Sequence, residues 1–162
     1  MTTCWQPPSA RERFEIIRST RTLAIVGASP NPARASYFVA TYMLSSSVDF
    51  DAVWFVHPTA DEVRGRPVYP SLASLPERPD LVDVFRRRED LSATADEAIA
   101  IGTSTLWFQL GLYDEDAAER ACRAGLRVVM NRCLKIEHAR FAGGLHLAGF
   151  DTGVISSRRA LR

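Results

Sequence analysis

The amino-acid sequence predicts an α/β domain built on a doubly wound parallel sheet, and three observations carry that prediction. Five short apolar runs, at Thr22 to Val26, Ala52 to Val56, Leu81 to Phe85, Thr105 to Leu110 and Arg127 to Met130, alternate with stretches whose apolar residues recur at helical spacing. The runs are mostly apolar rather than alternating, which is the pattern of strands covered on both faces. The breaks between them, at Gly27, His57-Pro58, Gly102 and Gly125, fall where a strand or helix has to stop. About five parallel strands with helices on both faces follow, a Rossmann-like arrangement whose ligand site lies beyond the carboxyl ends of the strands.

Each element has a local reason. Ser9 stands three residues before Glu12, a capping-box spacing, and Phe14 and Ile17 share a face, so a helix is expected from Ser9 to Ser19, ahead of a core at about 20 to 140. After the first strand and a turn rich in Pro and Asn, Ala35, Phe38, Val39, Tyr42 and Met43 mark a second helix that dissolves in Ser45-Ser46-Ser47. Thr59 to Pro79 is proline-rich and poorly periodic, with room for one short helix near Leu72. A helix from about Asp90 presents Leu91, Ala95, Ala98 and Ile99 inward, and Asp114 caps the next, which runs through Ala117, Ala118, Ala121 and Cys122. Residues 143–162 read as an irregular tail, and the whole chain as one domain.

Composition narrows the function classes. A hydrophobic fraction of 46% with 24% charged residues is that of a globular chain, and a net charge of +1 gives no field for nucleic acid. The cations are almost all arginine, with Lys135 the single lysine, and a guanidinium fork suits phosphate. No basic segment followed by an apolar run opens the chain, and no stretch approaches the ~20 apolar residues that span a bilayer. The expectation is a cytoplasmic protein without membrane contact. Cys4, Cys122 and Cys133 are odd in number and widely spaced, which predicts neither a disulfide framework nor a zinc site.

The chemistry should sit in the loops at the strand ends. Gly27-Ala28-Ser29-Pro30-Asn31-Pro32-Ala33-Arg34 lies between the first strand and its helix, where backbone N–H groups and a helix N-terminus form an anion site. Gly27 permits close approach, Ser29 offers a hydroxyl and Arg34 a charged fork. The third strand ends in Phe85-Arg86-Arg87-Arg88, a ring beside a guanidinium cluster. Arg87 and Arg88 read as surface charges balanced by Glu89 and Asp90, while Arg86 is the candidate phosphate contact. Gln109-Leu110-Gly111 ends the fourth strand, and Asn131-Arg132-Cys133 follows the fifth. Arg132 and nearby backbone N–H groups should favour the thiolate of Cys133. His138 reads as helix packing or a salt link to Glu137. An NAD site would show G-x-G-x-x-G and an acid at the end of the second strand, and here only Gly27 and His57-Pro58 stand in those places.

These residues resemble the small stand-alone CoA-binding proteins, a family similar to the CoA-binding domain of succinyl-CoA synthetase alpha subunits. The resemblance covers roughly Thr22 to Arg140 and is carried by Val26-Gly27-Ala28-Ser29-Pro30, Pro67-Val68-Tyr69-Pro70-Ser71-Leu72, Val82-Asp83-Val84-Phe85-Arg86-Arg87, Gln109-Leu110-Gly111 and Arg132-Cys133-Leu134-Lys135-Ile136-Glu137-His138. It implies that Gly27, Ala28, Ser29 and Arg34 hold phosphates, that His57-Pro58 and Phe85-Arg86 flank the nucleotide, and that Gln109 and Gly111 approach the diphosphate or pantetheine. His57 stands where the family pattern often has asparagine. The synthetase needs a second domain with a phosphorylated histidine, so the resemblance implies binding of CoA or acyl-CoA without turnover, with no metal. The alternatives are an NAD(P)-dependent oxidoreductase module and a CoA-responsive redox or regulatory interaction protein. A thiol at Cys133, on the ligand's rim, could exchange with CoA disulfide.

Overall fold

The computed structural model describes residues 2–142. Helix α1 spans Ala10–Ser19, and the Ser9 hydroxyl accepts the Glu12 amide at 3.1 Å, one half of the expected capping box. Strand β1 is Thr22–Val26, followed by α2 at Ala35–Met43 and β2 at Ala52–Val56. Strands β3 (Glu62–Val63) and β4 (Arg66–Tyr69) come next, then a short 3₁₀ turn at Leu72–Ser74. Strand β5 (Leu81–Val84), α3 (Leu91–Ile101), β6 (Thr105–Phe108), α4 (Glu115–Arg123), β7 (Arg127–Val129) and α5 (Leu134–Ala142) complete the order. Asp114 caps α4 by accepting the Ala117 amide, as expected.

The seven strands lie in the order β3-β4-β2-β1-β5-β6-β7, and all pairs except β3 with β4 are parallel. The chain runs from β1 outward through β2 to β4, then returns to β5 on the other side of β1 and proceeds to β7. The order therefore reverses between β1 and β5, and at such a switch point the flanking loops part to leave a crevice. The core fills both faces of the sheet. Ala24, Val26, Val82, Val84, Leu106 and Phe108 pack under α3 and α4, while Leu23, Ile25, Phe55, Leu81 and Trp107 pack under α1, α2 and α5. Double coverage is why the five strands read from the sequence, β1, β2, β5, β6 and β7, show no alternation.

Two expectations change. The segment from Thr59 to Pro79 holds a β-hairpin beside the 3₁₀ turn at Leu72. Arg64 and Gly65 both have positive φ (52° and 75°), as a two-residue turn of the tight mirror-image type requires, and β4 then adds to β2. Strands of two and four residues containing Pro67 carry no period to detect. The cysteines are also paired: Cys4 and Cys122, 118 residues apart, form a disulfide that fastens the N-terminal arm to α4. The Glu119 carboxylate accepts the amides of Cys4 and Trp5, and the Trp5 indole donates to the Val128 carbonyl at 2.8 Å. The arm thereby covers β7, the edge strand, whose outward carbonyls would otherwise lack partners. The expected tail at 143–162 lies outside the described residues.

Candidate functional site

The β1 turn is built so that only glycine fits at its start. The Phe85 amide donates to the Val26 carbonyl at 2.8 Å, drawing the end of β5 against β1, and a Cβ on Gly27 would lie 1.9 Å from the Phe85 carbonyl oxygen. With φ at +82°, Gly27 also occupies a backbone region other residues avoid. The Gly27 and Ala28 amides both point to the Val56 carbonyl, at 2.8 and 3.3 Å, and Ala28 is fully buried. Their part is to shape the turn, since those donors already have an acceptor. Ser29 is likewise engaged: its amide donates to Ser36 Oγ, and its hydroxyl accepts the Asn31 amide. What the turn leaves open is the first turn of α2, which has no side-chain cap, and the exposed guanidinium of Arg34 at the cap position. An uncapped helix start beside a guanidinium suits an anion.

On the neighbouring strands, His57 Nδ1 accepts the amides of Thr59 and Ala60 at 3.1 and 2.9 Å, which places the ring proton on Nε2. The ring does what an asparagine carboxamide would do in a side-chain-stabilised turn, and it leaves one donor, Nε2, for other partners; Pro58 is exposed beside it. Phe85 and Arg86 are half-buried at the end of β5. Among the described residues the guanidiniums of Arg34 and Arg86 have no hydrogen bond or ion pair. Arg87, by contrast, pairs with Glu89 and Asp90, whereas Arg88, expected to be balanced by the same acids, has no ion pair among the described residues. The structure thus separates adjacent arginines that share a sequence context.

At β6 the buried Gln109 donates through Nε2 to Asp83 Oδ1. Asp83 sits in the middle of β5 with no exposed surface, and its Oδ2 has no hydrogen-bond partner among the described residues. Burial pushes its carboxyl up to about 8, opposed by the Gln109 bond, so it enters the core as a neutral acid. With Nε2 given to Asp83, the carbonyl oxygen of Gln109 is the part of the amide left to accept an N–H. Gly111 donates its amide to Asn131 Oδ1 at 2.7 Å, and Asn131, at φ 57°, returns its own amide to the Leu112 carbonyl, which ties the ends of β6 and β7 together.

Beyond β7 lies a cavity of about 590 Å³, lined among others by Trp5, Pro7, Leu110, Tyr113, Arg132 and Cys133. Beneath it, Arg13 Nε meets Glu137 Oε1 at 2.9 Å in a buried pair, and Arg132 lies 4.0 Å from the same oxygen. Burial pushes Glu137 up and Arg13 down, against the attraction of each for the other. Burial also pushes the Cys133 thiol up, despite bonds from the Ile136 and Lys135 amides, so the expected thiolate is not favoured, and Arg132 is turned to Glu137. His138 packs on Tyr42 and Phe50 and bonds the Tyr42 hydroxyl at 2.8 Å; Glu137 pairs with Arg13 and not with it. No group of three or more His, Cys, Asp or Glu among the described residues could hold a metal ion.

The sheet order therefore places His57, Gly27, Phe85 with Arg86, Gln109 to Gly111, and Arg132 with Cys133 in sequence along one rim. Sequence reasoning missed Asp83, Asn131, Arg13 and Trp5. Asp83 had a signal, an acid inside an apolar run, and Arg13 had another, its place three and four residues before Ile16 and Ile17 on the inward face. Trp5 had none.

A family model described as a CoA binding domain matches residues 21–139. YneT of Bacillus subtilis, an uncharacterized protein, is 34% identical over 134 residues, which are 83% of this chain and 97% of YneT. A hypothetical protein from Pyrococcus horikoshii superposes with a TM-score of 0.76 at 34% identity, over 84% of this chain and 96% of its own. A dinucleotide-forming acetyl-coenzyme A synthetase from Candidatus Korarchaeum cryptofilum shares the fold, with a TM-score of 0.61 at 23% identity, over 68% of this chain and 26% of that one. The family model takes in the whole of the rim just described, and by it the chain belongs to the CoA binding domain family.

Proposed function

We propose that this protein is a single CoA-binding domain that holds CoA or an acyl-CoA along the carboxyl rim of its sheet and performs no chemistry of its own. The observation that carries this reading is the pair of guanidiniums, Arg34 and Arg86, flanking the β1–β5 switch point without partners among the described residues, next to an uncapped helix start. Phosphates supply the charge that both lack. Phe85 and the His57-Pro58 turn flank the nucleotide, and Gly27, Ala28 and Ser29 keep the turn in shape. The remaining carbonyl of Gln109 accepts an N–H, which a diphosphate cannot offer and the amides of pantetheine can. Gly111 gives the arm open space, since nothing lies within 4 Å of where its side chain would be. Arg132 and Cys133 stand where the arm ends.

An NAD(P) oxidoreductase module is the second reading, and the end of β2 in His57-Pro58, without an acid for the ribose hydroxyls, disfavours it. No helix among the described residues is long and apolar enough to cross a membrane. A cytoplasmic setting belongs to the same proposal; there the Cys4–Cys122 tether depends on the local redox poise. Titration calorimetry with CoA, NAD, NADP and ATP tests the reading. CoA is expected to bind tightest, and equal or tighter binding of NAD overturns it.

A further inference from the structure

Resting on that reading, we propose that the cavity between the N-terminal arm and the β7–α5 turn receives the acyl end of an acyl-CoA and selects acyl groups that terminate in a carboxylate. Its place on the rim is the first argument. Leu110, which lines it, lies between Gln109 and Gly111, and Arg132 and Cys133 form its wall at the end of β7. From the β1 turn to β7 is three strand spacings, about 14 Å, so an arm extended along the rim from the phosphates ends there. Its volume of about 590 Å³ is that of a small-molecule site.

The lining is the second argument. Trp5, Pro7, Tyr113, Val129, Met130 and Ile136 make most of the walls apolar, as an acyl chain requires. The polar part is cationic. Arg13 lines the cavity at 3% exposure, with Nε on Glu137 and Nη1 on the Pro8 carbonyl, while its buried Nη2 has no partner among the described residues. Arg132 stands 4.0 Å from Glu137, and the charge of Arg140 acts on the same carboxylate. Arg13 and Arg132 thus share the single negative charge of Glu137. A second carboxylate, brought by the ligand, balances the charge by pairing with Arg132, whose partly exposed guanidinium lines the cavity. The wall it meets is held closed by the Cys4–Cys122 bridge, the Glu119 carboxylate and the Trp5–Val128 bond.

Calorimetric titration of the oxidised full chain with CoA, valeryl-CoA and glutaryl-CoA tests this, because the two acyl groups have the same number of carbons and differ in ending in methyl or carboxylate. Glutaryl-CoA is expected to bind about tenfold tighter than valeryl-CoA, the worth of one charge-assisted contact. Arg132→Gln should bring that ratio close to one. Leu110→Glu, which puts an acid at an exposed position of the lining, should also depress it. Equal binding of the two thioesters, or a ratio unchanged in Arg132→Gln, overturns the proposal while leaving CoA binding intact. If CoA itself does not bind, the reading on which the proposal rests falls and the proposal with it.

Discussion

Where β1 meets β5 the rim is made of backbone turns that satisfy one another and of guanidiniums without partners among the described residues; at β7 it is made of side chains, with an ion pair buried beneath, a cavity above and a covalently tethered arm as its wall. The first region is rigid because the chain itself leaves no room, as the Gly27 approach to Phe85 shows. The second depends on groups far apart in sequence, Arg13 with Glu137 and Cys4 with Cys122, being brought together. Substitution should therefore hurt folding most at the first region's turn and ligand discrimination most at the second.

Gly27→Val gives the largest expected effect. Both the contact with the Phe85 carbonyl and the positive φ oppose a side chain, and a loss of more than about 3 kcal/mol in chemical denaturation is expected. A loss of under ~1 kcal/mol would mean that β1 and β5 can part, and the contrast in rigidity would fail.

The neutral acid between the two regions comes next. Folded, Asp83 keeps its proton to about pH 8, whereas unfolded it loses it near the ordinary carboxyl value, so between those limits the unfolded state binds fewer protons. Its contribution to stability accordingly falls as pH rises from about 4 to about 8, by up to ~1.4 kcal/mol per pH unit, and is level above and below. Denaturation of Asp83→Asn and the parent protein across this range should show the difference between them growing with pH; parallel curves would place an ionised Asp83 in the core.

Cys4→Ser together with Cys122→Ser should cost about 2–4 kcal/mol of stability, because the bridge closes a long loop in the unfolded chain. With the arm untethered, valeryl-CoA affinity should fall more than CoA affinity in calorimetry. Equal falls would separate the arm from the cavity's function.

Arg86→Ala should weaken CoA about tenfold in a protein of unchanged stability, while Arg87→Ala, whose guanidinium is already held by Glu89 and Asp90, should stay within about twofold. Equal losses would erase the distinction between paired and unpaired arginines. The smallest effect concerns Cys133. Its thiol is held up by burial, so exchange with CoA disulfide at pH 7, followed by peptide mapping, should be slow and should accelerate as pH rises. Rapid labelling at pH 7 would restore the thiolate that Arg132 was expected to favour.

The sequence by itself determined five strands of the sheet, their parallel sense and the rim on which the ligand contacts are proposed, but not the β3–β4 hairpin. Each of those follows from local features: apolar runs too continuous for a solvated face, the cap at Asp114, and breaks at Gly27 and His57-Pro58. A strand end is a local property, and in a parallel sheet all strand ends share one edge, so placing Arg34, Arg86, Gln109 and Cys133 near one another needed only the topology. Which of those groups has a partner was not legible. Arg86 and Arg87 are neighbours with the same side chain, and only the fold decides that one reaches Glu89 and Asp90 and the other reaches neither. The Cys4–Cys122 bridge, the Arg13–Glu137 pair and the Gln109–Asp83 bond join positions 118, 124 and 26 residues apart. Side-chain pairing across such separations has no period in the sequence, because it depends on how helices α1, α4 and α5 settle against the sheet, and that is decided by packing.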